Sequence, residues 1–154
     1  MTSRRQAVAL AGARALATIW CGMILGVSFI ATPVKFTAPS IDFPTALDVG
    51  RVTFGLFGPI ELGVSVALLC AALLAQRARG LLVVAILCLA LTVLENFGLR
   101  PLLDARMQAI FDGRPLEPSH MHKVYVATQF VKVVALVAVG WARMPAVEPD
   151  ASPA

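Results

Sequence analysis

The chain has 154 residues, of which 58% are hydrophobic and only 14% charged, with a mean hydropathy of +0.81. Soluble domains carry about 25% charged residues, so this composition excludes an ordinary soluble domain and makes lipid the expected solvent. The net charge of +4 is what basic membrane loops produce, and no nucleic-acid partner is read from it. Three cysteines, Cys21, Cys70 and Cys88, fall inside hydrophobic segments without paired spacing and imply no disulfide framework.

Arg4 and Arg5 precede a first apolar segment, residues 15–34. Its length exceeds the roughly 7–15 apolar residues of a signal peptide, so an uncleaved membrane helix is expected. Residues 35–51, with Pro39 and Pro44, read as a long loop along the interface, and residues 52–75 as a second span carrying Pro59. The basic stretch 76–79 is a tight loop. A third span, 80–99, is expected to stop at Arg100-Pro101. Leu102, Leu103, Ala105, Arg106, Ala109, Ile110 and Phe111 then form the pattern of a short amphipathic helix at the membrane surface. Asp112-Gly113 ends it, and residues 124–141 make the fourth span. Residues 144–154 hold three prolines and two acids and read as a disordered tail.

The expected fold is therefore all-α: a four-helix transmembrane bundle with a short interfacial helix before the fourth span, residues 1–143 forming one integral membrane domain. Basic residues divide six to six between the two sides, Lys132 apart. The arginine-rich start and the 76–79 loop favour cytoplasmic termini in a bacterial inner membrane. The lipid bilayer is the expected partner, with a second copy or another membrane subunit as further possibilities.

Lys132 lies in the middle of the fourth span, where an ammonium costs about 2.5–3.5 kcal/mol by insertion scales. It belongs to a stripe. His122, Tyr125, Gln129 and Lys132 follow one another at spacings of 3, 4 and 3, which places them on one helix face. Other spans answer with polar faces of their own: Ser28, Thr32 and Lys35; Arg51, Gly58, Glu61 and Ser65; Thr92, Glu95 and Asn96. Counting rise from the expected span ends puts Lys132 about 12 Å, Glu61 about 15 Å and Glu95 about 7 Å below one surface. Glu61, Glu95, Tyr125, Gln129, Lys132 and Arg51 are thus the candidate ligand-binding residues, with Glu61 as counter-ion to Lys132. Such a pocket suits a small ligand, a lipid or quinone head group, or a proton relay. The competing reading is structural, with polar residues fixing which helices meet in a non-catalytic accessory subunit. Gly22, Gly26, Gly55, Gly58 and Gly63 read as close-packing positions.

His120-Met121-His122 opens the fourth span and supplies a second, weaker constellation. Two imidazoles and a thioether suit copper or a haem ligand in a metal-handling or transport component. Met107, Met23 and Cys21 are not expected near them. No nucleotide, hydrolase or zinc-protease motif occurs, so no catalytic residue and no cofactor is predicted beyond the copper or haem alternative, and the sequence leans against an enzyme without deciding it.

Trp20 with Gly22, the exit Ala31-Thr32-Pro33-Val34-Lys35-Phe36, Asp48-Val49-Gly50-Arg51, Asn96 before Arg100-Pro101, and His122 together carry a resemblance. They resemble small four-helix bacterial membrane proteins of unknown function, similar to the transmembrane protein 205 group and distantly to copper-resistance D proteins. The resemblance spans most of residues 15–141 and implies an integral four-helix membrane protein with a link to metal tolerance. Lys132 and Glu61 have no place in that family's pattern.

Overall fold

The computed structural model describes residues 3–75, 78–114 and 118–141. Among the described residues, four helices are long and apolar enough to cross a membrane: Arg4–Thr37, Phe43–Leu74, Arg79–Phe111 and Met121–Trp141. Large apolar side chains such as Ile19, Leu56, Val83 and Phe130 lie on the outside, more than half exposed. That is the surface of a lipid-solvated bundle. The protein is an integral, multi-pass membrane protein.

The first span begins as α1 (Ser3–Ile24), widens into a π-helical segment (Leu25–Ala31), and ends through Thr32–Val34 and a 3-10 turn, Lys35–Thr37. The second is α2 (Phe43–Leu74). The third runs as α3 (Arg79–Val93), a π-helical segment (Leu94–Leu99) and α4 (Arg100–Phe111). The fourth is α5 (Met121–Trp141).

Both π-segments stand just before a proline, Pro33 and Pro101. A proline ring clashes with the carbonyl four residues back and lacks the N–H that would bond it. Widening the preceding turn moves that carbonyl aside. The Thr32 N–H accordingly reaches Val27 O and the Arg100 N–H reaches Glu95 O, each five residues back. The helix therefore continues where a stop at Arg100-Pro101 was expected. The expected interfacial helix exists as α4, continuous with the third span rather than separated from it.

The expected long loop over residues 35–51 is also mostly helical. Lys35–Thr37 prolong the first span, and Asp42 caps α2 by accepting the Thr45 N–H at 2.9 Å. Pro44 occupies the first turn of α2, where no intrahelical donor is needed. Hydrogen bonds from Thr45 hold the exposed Asp42 carboxyl below the usual carboxylate range. The cap is thus present at neutral pH and is lost only as the pH falls through that lowered value. Residues 76–77 of the expected tight loop, residues 115–117 and the expected disordered tail lie outside the described residues.

The core follows one register on every span. Ala13, Ala17, Trp20 and Ile24 are buried on α1; Phe57, Glu61, Ser65, Leu68 and Ala72 on α2. Leu81, Ala85, Cys88, Thr92 and Glu95 continue it on the third span, and Gln129, Lys132, Leu136 and Val139 on α5. Every step is three or four residues, the spacing of one helix face. Alanine, cysteine and glycine near the chain's ends let backbones approach, as membrane bundles require. There Arg14 donates to Gly140 O at 3.0 Å and ties α1 to α5.

The glycine expectation needs correction. A methyl group on Gly22, Gly26, Gly55 or Gly63 would meet nothing within 4 Å. Only Gly58 among the five is a close-approach position: its missing side chain leaves room for Asn96 and Arg100. Gly58→Leu is therefore expected to displace the Asn96 side chain and destabilise the bundle by about 1–3 kcal/mol. Gly63→Leu, pointing into open space, should leave stability nearly unchanged. Thermal unfolding of both variants in detergent, followed by circular dichroism, checks the contrast.

Candidate functional site

Lys132 is completely buried, and its Nζ donates to Glu61 Oε1 at 2.8 Å and to Glu95 Oε2 at 2.5 Å. Three spans therefore converge on one ammonium. The first span joins through Trp20, whose indole Nε1–H donates to Glu61 Oε1 at 2.9 Å. The lysine nitrogen also lies 5.7 Å from the Trp20 ring centroid, within cation–π range. Gln129, one helical turn from Lys132 on α5, spans both acids: its Nε2 is 3.3 Å from Glu61 Oε2 and 3.4 Å from Glu95 Oε2. The same amide nitrogen is 3.1 Å from the Tyr125 hydroxyl.

Local structure explains why these groups meet. Glu61 and Lys132 sit at core positions of regular helices, in register with Leu68 and Leu136. Glu95 opens the second π-segment, and the widened turn extends the helix beyond it to Phe111. Glu95 and Lys132, grouped in one pocket from the sequence, are directly bonded. With both carboxylates and the ammonium ionised, the cluster carries one net negative charge. Neutral donors, the Trp20 indole and the Gln129 amide, face the surplus acceptors.

Beside this cluster lies a cavity of about 640 Å³. It is enclosed by the first π-segment and the turn after it, the start of α2, α4 and the start of α5. Its walls are mainly apolar, with Phe29, Phe54, Leu103 and Ile110 among them. Tyr125 and Gln129 also line it, so the buried charges stand one side chain behind the cavity wall. Lys35, Arg51, Arg100 and Arg106 bring cations to it, against the single carboxylate of Asp104.

Arg51 is exposed, bonds Asp48 at 2.6 Å, and does not join the cluster around Lys132. It belongs to the cavity. His122 and Met107 also line the cavity. His120 is exposed on the chain leading into α5. Among the described residues, no group of three or more His, Cys, Asp or Glu is arranged to hold a metal ion.

Trp20, Lys35 and Arg100 were absent from the candidate residues. A buried indole N–H needs an acceptor, and that requirement was a usable signal for Trp20. Arg100 reads from sequence as a flank of a terminating span. In the continuous helix its Nη1 is 3.4 Å from Phe54 O and 3.3 Å from Asn96 Oδ1.

No curated protein and no solved structure shows a significant match to this chain, which leaves the likeness to transmembrane protein 205 and copper-resistance D proteins without support. One family model does match, and it ends before α5; Glu61 and Glu95 fall inside it, Gln129 and Lys132 beyond. Because that match covers residues 15–112, most of the chain, the protein belongs to the family described as a domain of unknown function, DUF4149.

Proposed function

We propose that this membrane protein binds the head of an amphipathic ligand in the cavity at the end of the bundle remote from its termini. The observation that carries this reading is the wall formed by Tyr125 and Gln129. It joins a mainly apolar chamber of about 640 Å³ to a bonded cluster of fixed charges. Chambers of that size are typical of small-molecule sites, in which a few oriented polar groups confer specificity. Of the buried polar atoms without a hydrogen-bond partner, Gln129 Oε1 and Ser28 Oγ belong to residues that line the cavity, and Glu95 Oε1 and Thr92 Oγ1 lie outside its wall. Unpaired buried groups cost about 1–3 kcal/mol each, and a ligand offering complementary groups relieves that cost.

Head-group binding accounts for the geometry better than proton relay does. The Gln129 carboxamide stands between the Tyr125 hydroxyl and both carboxylates. An amide has no readily exchanged acidic proton near neutral pH, so it orients hydrogen bonds rather than passing protons along. Placing the Arg4, Arg5 and Arg14 end in the cytoplasm opens the cavity toward the outer leaflet.

Native mass spectrometry of the full chain tests the cavity directly. A lipid or quinone adduct should survive purification, be lost in Leu103→Trp, which fills the chamber, and persist in Leu73→Trp on the lipid-facing surface. Equal retention in both variants would sink the proposal.

The cluster itself separates a working site from a device for helix pairing. Lys132→Met leaves two carboxylates buried without their cation and should lower stability by about 3–5 kcal/mol. Removing all three charges together, with Glu61→Gln and Glu95→Gln added, should restore most of that stability. If this triple variant still retains its adduct as the original chain does, the charges serve assembly alone.

A further inference from the structure

We infer that the ligand of this cavity is a phosphate-headed lipid, its phosphate held at the cationic rim and its chain in the apolar chamber. The inference rests on the proposed head-group site and names the chemistry that site selects.

Position comes first. α2 has 32 residues, about 48 Å of helix at 1.5 Å per residue, against a hydrocarbon core of about 30 Å. Its stretch 52–74, apolar apart from the inward-facing Glu61 and a few small polar residues, is itself long enough to cross that core. Residues 43–51 therefore stand at the level of the lipid head groups, and the cavity reaches both sides of this boundary. Lys35, Arg51 and Arg100 lie where lipid phosphates lie. Cations at that level ordinarily extend outward to lipid or water. Here all three line the cavity, Lys35 and Arg100 half-buried and Arg51 exposed.

Charge comes second. Four cations and one carboxylate line the cavity, leaving three positive charges before His122 is counted. Arg51 is partly neutralised by Asp48, and Arg100 reaches Asp104 at 3.8 Å. Lys35 differs. It is half-buried, its Nζ lies 5.1 Å from the Phe36 ring and against the backbone of Gly50, and it pairs with no carboxylate among the described residues. Gly50 is itself buried, and any side chain there would collide with that ammonium. The lysine is thus seated in a notch and left with its charge unanswered. A phosphate answers it, and the unpartnered Ser28 hydroxyl on the same wall can donate to a second oxygen.

The remaining open group selects the rest of the head. Gln129 Oε1 accepts and does not donate, and with Lys132, Glu61 and Glu95 all ionised the cluster behind it carries one net negative charge. A second anion is unsuited there, whereas a hydroxyl on the glycerol backbone of the lipid supplies the missing donor. The chamber's volume suits a head group and part of one chain rather than a whole two-chain lipid.

The test uses the full chain in a neutral detergent and three probes: oleoyl lysophosphatidic acid, monooleoylglycerol and inorganic phosphate. The phosphate lipid should bind at least tenfold tighter than monooleoylglycerol, which has the same chain and no phosphate. Millimolar inorganic phosphate should not displace it. Lys35→Gln should cost the phosphate lipid about tenfold and leave monooleoylglycerol unaffected. Equal binding of the two lipids overturns the inference while leaving the cavity reading intact. Displacement by inorganic phosphate at comparable concentration overturns it in favour of a free-anion site. If neither lipid binds, or Leu103→Trp leaves both unchanged, the cavity reading itself falls.

Discussion

One ammonium held by two carboxylates organises this molecule. Interhelical polar contacts in membranes average only about 0.6 kcal/mol, so as glue the contacts of Lys132 with Glu61 and Glu95 are weak. As a constraint they are strong. Each of these groups facing hydrocarbon alone would cost several times that amount. Any arrangement of the helices that separates Lys132 from both acids is therefore penalised, whereas the observed one satisfies three spans at once. The same register that buries Leu68, Leu136 and Ala85 carries the three charges inward, so apolar and polar packing specify one rotation of each helix.

From that centre the structure builds outward. The Trp20 indole brings the first span to Glu61, and Gln129 braces both carboxylates. Pro33 and Pro101 then widen a turn in the first and third spans near the same end of the bundle. The consequence is shared: helices that would otherwise stop instead continue and enclose a chamber. Gly58 allows Asn96 to donate to its carbonyl at 3.3 Å, which fixes the second and third spans at the chamber's edge. At Gly50 the missing side chain leaves room for the Lys35 ammonium.

Helix periodicity made the core legible from sequence. The stripe from His122 to Lys132, and the faces holding Glu61 and Glu95, follow from spacing alone, because a charge in an apolar helix must face inward. What sequence could not supply was how prolines would be accommodated. Arg100-Pro101 has the form of a helix stop, and a π-turn is an equally local solution that becomes favourable only when neighbouring helices support the continued chain. That one misreading moved the end of the third span and hid Arg100. Glycine was ambiguous for a similar reason. Gly58 and Gly63 look alike in sequence, but close approach is a property of the partner helix.

The cavity's charge distribution limits what the protein does there. Its rim is cationic and, with Lys132, Glu61 and Glu95 all ionised, the cluster behind its inner wall carries one net negative charge, so the field then points one way across the chamber. A simple anion is attracted to the rim and repelled from the inner wall; a simple cation experiences the reverse. Neither uses both ends. A ligand whose head carries an anion and a hydrogen-bond donor, set apart along its length, is aligned by the field and held at two points. The fixed cluster loses little freedom in doing this, since Lys132, Glu61 and Glu95 are already bonded and fully buried. Preorganisation of that kind favours discrimination between head groups over strong binding of any apolar chain, because the chain gains little on leaving lipid for an apolar chamber. In the proposed site, selectivity then falls to Lys35, Ser28 and Gln129, the cavity-lining groups with charge or hydrogen-bonding capacity left unpaired.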